Sequence, residues 1–102
     1  MDKLRIDKWL WAARFFKTRT LAAEEVQRDR VLVNDQIAKP SREVKPGDRI
    51  SLRQTGPERV VVVVGLSKQR GPAPVAQQLY AETPESLAAQ QNWREHMRWS
   101  PE

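Results

Sequence analysis

Basic side chains cluster on one short stretch near the start of the chain: Arg5, Lys8, Arg14, Lys17 and Arg19. Thr18 lies among them and has the side chain of a typical helix cap. The first amides of a helix have no intrahelical acceptor and favour an anion, while lysine and arginine are the usual partners of RNA and DNA phosphates. A single exposed charge is usually only solvated, but five on one short segment predict a phosphate-binding surface.

The net charge of the chain is unevenly distributed. The formal charge is +5 and the sequence pI is about 10.1. Residues 1–54 carry 13 Lys and Arg against 8 Asp and Glu, whereas residues 55–102 carry 5 of each. The excess therefore lies in the first half, which indicates a polyanionic partner docked there. A basic face that only keeps the protein soluble is the alternative.

The sequence contains few residues that could form a catalytic, metal or nucleotide-binding site. The chain has no cysteine, which excludes disulfides and zinc–thiolate sites. The single histidine, His96, has only Glu95 beside it, and no glycines are spaced as in a phosphate-binding loop. We therefore expect a binding protein and not an enzyme, with no cofactor, no metal and no small-molecule substrate.

Length and hydropathy predict one small domain of 102 residues. The longest apolar run, residues 60–64, is far shorter than the roughly 20 residues of a membrane span. The first residues are not apolar like a secretion signal. We expect a cytoplasmic protein that does not bind membranes and is monomeric.

The apolar spacing predicts two helices that must position the basic cluster. The first is expected to begin at Asp7 as its cap and to run to Phe16, and the second to run from Arg19 to Asp29. The short linker between them predicts a helix hairpin. The aromatic run Trp9, Trp11, Phe15 and Phe16 is interpreted mainly as core, with Trp11 as a candidate for stacking on unpaired bases.

After the helices, the apolar residues recur at every second position instead of at helical spacing. Residues 30–33 and 36–38 flank the pair Asn34 and Asp35, which predicts a hairpin with a two-residue turn. Further strands are predicted at 49–53 and 58–66, and helices at 75–81 and 84–98. The predicted fold class is α+β: a helix hairpin, a β-hairpin, a small and mostly antiparallel sheet, and C-terminal helices.

Three segments resemble a known RNA-binding family. They read RIDKWL at residues 5–10, FKTRT at 16–20 and VLVN at 31–34, and they are similar to the S-four type RNA-binding domain with its αL motif. The resemblance covers residues 4–53. Residues 54–102 would form a C-terminal extension, with one long strand and helices, packed on the same domain.

Further segments look closer to one branch of that superfamily, the ribosome-associated bacterial heat-shock proteins of fifteen kilodaltons. They read DKWLWAARF at residues 7–15, KPS at 39–41 and LYAET at 79–83. The resemblance implies binding to ribosomal RNA on large subunits that still carry a nascent chain on transfer RNA, in recycling or rescue during heat stress. Transfer RNA is a second candidate partner. By motif match, the RNA contacts would come from Arg5, Lys8, Arg14, Lys17, Thr18, Arg19 and Lys39.

Two other functions remain open from the sequence. The chain could act mainly as a protein–protein adaptor through its aromatic run, or its S-four type domain could serve an RNA-modifying enzyme in trans. The sequence also departs from the family, which often has glycine before the first strand and after the turn Asn, where this chain has Asp29-Arg30 and Asp35. Members of the family tend to end in a long basic tail, whereas the C-terminal half of this chain carries no net charge. DNA binding is also left open.

Overall fold

The N-terminal segment forms one short strand and two helices in the structure, a computed structural model that describes residues 1–99. They are β1 (Leu4–Arg5), α1 (Ile6–Ala12) and α2 (Arg19–Gln27). The helix pair agrees with the sequence prediction, but α1 begins before Asp7 and ends four residues before Phe16. Asp7 therefore lies in the first turn of α1 and is not its N-cap.

The early end of α1 is produced by a left-handed residue. Arg14 has φ of +66°, and the amides of Arg14 and Phe15 donate to the carbonyls of Trp11 (3.1 Å) and Leu10 (3.0 Å). This is a Schellman motif, which usually has glycine at the left-handed position. Because an arginine occupies this position, no glycine marks the end of the helix in the sequence.

Within the described residues, five strands form an antiparallel sheet in the order β3-β2-β5-β6-β7. Their bounds are β2 (Val31–Val33), β3 (Gln36–Ile37), β5 (Arg49–Leu52), β6 (Arg59–Val63) and β7 (Tyr80–Glu82). A separate pair joins β1 to β4 (Glu43–Val44), with Leu4 opposite Val44. The fold class is α+β, as predicted.

The turn between β2 and β3 has the conformation that a two-residue hairpin requires. Asn34 and Asp35 have φ of +51° and +65°, the positive values of a type I′ turn. The amide of Arg49 donates to the side-chain oxygen of Asn34 (2.9 Å), and Asn34 Nδ2 donates to the buried carboxylate of Asp48 (3.1 Å). The turn is thereby tied to the start of β5.

Asp35→Gly is expected to stabilise the fold by about 0.5–1 kcal/mol, because glycine adopts positive φ without the steric cost that a side chain carries. Urea or thermal unfolding would measure the change. Gln36→Gly, one residue along in β3, is the control and should lower stability. A loss of stability in Asp35→Gly would contradict the type I′ assignment.

The C-terminal part differs from the prediction in its first helix. The structure has a short helix α3 (Ala73–Ala76), a 3-10 turn (Gln77–Leu79) and then strand β7, where a helix was expected to continue to residue 81. Tyr80 to Glu82 pair with Val61 to Val63 of β6. Pairing with a distant strand overrides local helix preference here. The last helix, α4 (Pro84–Trp99), starts where it was predicted.

The core lies between the two first helices and the sheet. Trp9 is fully buried, and its indole Nε1 donates to the carbonyl of Gly65 (3.0 Å) just after β6. Trp11, Phe15 and Phe16 are partly buried and pack against this core. The aromatic run is therefore mainly core, as the sequence analysis favoured.

No helix in residues 1–99 combines the length and apolarity needed to cross a membrane. The predicted C-terminal extension runs to residue 102, and residues 100–102 of it lie outside the described residues.

Candidate nucleic-acid interface

A buried carboxylate connects the starts of the two helices. Asp7 accepts hydrogen bonds from Arg5 Nε at Oδ1 (3.2 Å) and from Arg5 Nη2 at Oδ2 (3.0 Å), and Arg19 Nη2 forms an ion pair with the same Oδ1 at 3.7 Å. The side chain of Asp7 is 5% exposed, against 48% for Arg5 and 45% for Arg19. Because a buried charge needs a partner, Asp7 holds both guanidinium groups in place while leaving them open to solvent.

The N-terminus of α2 lies beside this group. Thr18 has extended backbone angles, and its hydroxyl accepts from the amide of Leu21 (3.0 Å). It is thus the N-cap that the sequence predicted. By the geometry of an α-helix, the amides of Arg19 and Thr20 have no intrahelical acceptor. These amides and the helix dipole favour an anion at this end of α2.

Three lysines extend the positive charge. Lys8 follows Asp7, and its amide donates to the Asp7 carboxylate (2.7 Å); Lys17 is exposed and directly precedes Thr18. Lys39 is exposed next to Pro40, whose carbonyl accepts from the amide of Asp7 (3.4 Å). We call the following six residues the cationic surface: Arg5, Lys8, Lys17, Thr18, Arg19 and Lys39.

Arg14 is the one predicted site residue that the structure places elsewhere. It follows the C-terminal end of α1, whereas Arg5 precedes the helix start. Its Nη1 donates to the carbonyl of Gly71 (2.9 Å), so that the side chain joins α1 to the segment before α3. The structure therefore directs the Arg14 side chain to the segment before α3, at the end of α1 opposite Arg5.

Two residues near the cationic surface were not predicted as part of it. Asp7 was assigned to capping, although its spacing from Arg5 allows the ion pair that the structure contains. Arg42 is half-buried, and its carbonyl accepts from the amide of Ile6 (2.7 Å) at the start of α1. The Arg42 amide donates to the Lys39 carbonyl (2.9 Å), and this turn after Lys39 brings Arg42 back to the start of α1.

The remaining chemical candidate, His96, is exposed on α4. Trp11, the predicted stacking residue, is partly buried. The arrangement around Asp7 can bind phosphate oxygens through guanidinium and ammonium groups, which is a task of recognition rather than catalysis.

Comparisons with known proteins identify relatives of this chain. The S4 domain model, the S-four type of the sequence analysis, matches residues 4–50. Heat shock protein 15 of Escherichia coli strain K12 is 48% identical over 85 residues, which are 83% of this chain and 64% of that protein. The chain thus spans less than two thirds of the length of that relative.

For two further relatives, the match covers a larger share of the relative's own length. A structure of Vibrio cholerae heat shock protein 15, described as trimeric, superposes with a TM-score of 0.85 at 46% identity, and the match covers 96% of this chain and 98% of that one. The RQC P-site tRNA stabilizing factor of Listeria innocua is 34% identical over 77 residues, or 76% of this chain and 83% of that protein.

Proposed function

The chain belongs to the heat shock protein 15 family and contains an S4 domain, and we propose that it binds ribosomal RNA on the large ribosomal subunit. It would do so without catalysis, in the recycling or rescue of stalled subunits that carry a nascent chain on transfer RNA during heat stress. The cytoplasm is where such subunits occur. The expectation of a monomer stays a prediction, which light scattering in solution can test.

The observation that carries this proposal is the ion-paired cluster at the helix starts. Arg5 and Arg19 are oriented by a buried carboxylate, so less side-chain entropy is lost when they bind than for free arginines. The N-terminus of α2 adds amides that favour phosphate. The deep and narrow major groove of A-form RNA excludes side chains, and such a surface suits recognition by shape and phosphate position.

The choice of RNA rests on the relatives. One relative is named for stabilising transfer RNA in the P site, a position on the ribosome where ribosomal and transfer RNA lie together. This supports a site at which the cationic surface contacts ribosomal RNA close to a bound transfer RNA. Large subunits that retain a nascent chain on transfer RNA are expected to bind more tightly than vacant ones in co-sedimentation.

The proposal predicts a steep salt dependence of RNA binding. If the cationic surface neutralises about four to six phosphates, the plot of log affinity against log salt should have a slope of roughly −3 to −5. Fluorescence anisotropy with a structured RNA, from low to physiological salt, measures that slope. A flat titration would contradict binding through phosphates.

A further inference from the structure

A second surface lies at the other end of α1, next to Arg14. A cleft of about 530 Å³ opens between the linker after α1, the end of β5 and the segment around α3. Its volume falls within the roughly 300–1,000 Å³ of small-molecule sites. The sequence motifs of the S4 domain do not account for it, since its walls include residues beyond the matched region: residues 53–55, Ala73, Ala76, Gln77 and Tyr80.

The floor of the cleft is aromatic. The rings of Phe15 and Tyr80 lie with centroids 4.7 Å apart at 48°, and both are only partly buried. The guanidinium carbon of Arg59 lies 5.0 Å from the Phe15 centroid and 5.8 Å from that of Tyr80. Arg59 therefore lies over both rings, and this stack combines aromatic rings with a planar cation, the two kinds of group on which unpaired RNA bases stack.

Arg59 is held in this position by a hydrogen-bonded chain. Its Nε donates to Glu82 Oε1 (3.0 Å), and Glu82 Oε2 accepts from the Ser86 hydroxyl (2.7 Å). The same hydroxyl accepts from the amide of Val60 (2.9 Å) in β6. The guanidinium plane is thus fixed before any ligand arrives, which lowers the entropic cost of stacking.

The lining of the cleft carries more cationic than anionic side chains, since Arg14, Arg30, Arg53 and Arg59 line it together with Glu25. Arg30 and Arg53 line it with side chains 51% and 58% exposed. Arg30 pairs with Glu25 at 3.2 Å and Arg53 with Glu58 at 3.8 Å. Each guanidinium has five N–H donors, so donors remain for a phosphate beside a stacked base. An aromatic floor with arginines at the rim is complementary to a nucleotide.

We propose that this cleft binds an unpaired nucleotide of the RNA, with its base on the Phe15, Tyr80 and Arg59 platform and its phosphate at Arg30 and Arg53. The proposal rests on RNA binding at the cationic surface and adds a single-stranded element to it. Arg14 and Phe16 line the cleft, and Lys17 and Thr18 follow them directly in the chain. A strand leaving a paired helix on the cationic surface therefore has a short path to the cleft.

The test uses two RNAs that share one paired hairpin. One ends at the last base pair, and the other has a single-stranded overhang that contains 2-aminopurine, whose fluorescence is quenched when it stacks. The unchanged protein should bind the overhang RNA about fivefold or more tightly than the paired RNA, as stacking of one base predicts, and should quench the probe.

Two variants locate the effect. Tyr80→Leu removes a π-face, and the double change Arg30→Gln with Arg53→Gln removes two exposed guanidinium groups outside the core. Both should lose the preference for the overhang while binding the paired RNA within about twofold of the unchanged protein. The double change Arg28→Gln with Arg94→Gln removes two exposed charges elsewhere and should keep the preference. If Tyr80→Leu fails to fold, the double variant Arg30→Gln with Arg53→Gln decides whether the preference depends on the cleft.

The outcomes separate this proposal from the proposed function. Equal affinity of the unchanged protein for the two RNAs, or a preference that survives in the folded variants, would overturn the cleft assignment while RNA binding stands. Absence of binding to either RNA would instead overturn the proposed function, and this proposal with it.

Discussion

Replacing Lys8, Lys17 and Arg19 together by Gln is expected to weaken RNA binding by at least about tenfold. A hydrogen bond to a charged group contributes about 1.5–3 kcal/mol before screening, and three contacts of about 1 kcal/mol after screening would give a loss of about a hundredfold. Arg5 keeps both of its hydrogen bonds to Asp7 in this variant, so the buried carboxylate stays paired. Anisotropy at fixed salt, with melting curves alongside, measures the effect.

A matched triple change provides the control. Arg28, Lys68 and Arg94 are exposed cations at the end of α2, in the loop after β6 and on α4. Replacing them by Gln removes the same charge and should weaken binding by no more than about threefold, the effect of distant charges screened over a Debye length. Equal losses from both triples would mean that net charge alone, and not the cationic surface, drives binding.

Asp7→Asn is expected to weaken RNA binding about fivefold or more, although it removes a negative charge from a phosphate-binding surface. Without the carboxylate, Arg5 and Arg19 are no longer held, and ordering each on binding costs about 0.5–1.5 kcal/mol. The repulsion relieved between Asp7 and a phosphate several ångströms away amounts to only about 1 kcal/mol or less in a high dielectric. The ordering cost is therefore expected to prevail.

Two measurements accompany this variant. Unfolding should show a loss of about 1–3 kcal/mol, because a buried group loses charged partners, and binding is then measured well below the melting temperature. Glu43→Gln is the control, since Glu43 is exposed on β4 opposite Arg5 in the strand register. It removes the same charge without loosening the arginines and should bind RNA equally or slightly more tightly. Tighter binding by Asp7→Asn would contradict a positioning role for Asp7.

Much of the fold was predictable from periodicity. The change of period after residue 29 separates helices from strands, and the Asn34–Asp35 pair predicted a hairpin turn that the positive φ values confirm. Lys45 to Asp48 contain a Pro-Gly pair, which is typical of a turn, and the Asp48 amide donates to the Lys45 carbonyl (3.1 Å) with Gly47 at φ of +96°. In these segments, the conformation that the residue types favour locally is also the one that the tertiary structure requires.

Other elements depended on contacts that the sequence does not reveal. Strands β1 and β4 have two residues each, too few to produce a readable alternation. Strand β7 is specified by its pairing with β6, not by its own residues. The end of α1 depends on Arg14 in a left-handed conformation, where glycine would have been the signal.

The candidate site was predictable in composition but not in organisation. The basic residue types and the Thr18 cap could be read from their spacing. The side chain that arranges them could not, because Asp7 in isolation resembles a helix cap, and only the packing of α2 against α1 brings Arg19 to it. Arg14 is the opposite case. Its charge fits the basic cluster in the sequence, but its backbone conformation directs the side chain toward Gly71.

Directed cleavage of RNA from a tethered iron reagent determines whether the start of α2 faces ribosomal RNA. The chain has no cysteine, so one introduced cysteine carries the reagent at a single point. Thr20→Cys places it on the exposed first turn of α2, and Glu85→Cys on the exposed first turn of α4. With large subunits that carry a nascent chain on transfer RNA, we expect confined cleavage of ribosomal RNA from position 20 and much weaker cleavage from position 85. Strong cleavage from position 85 with none from position 20, in proteins that both co-sediment with the subunit, would show that the start of α2 does not face ribosomal RNA.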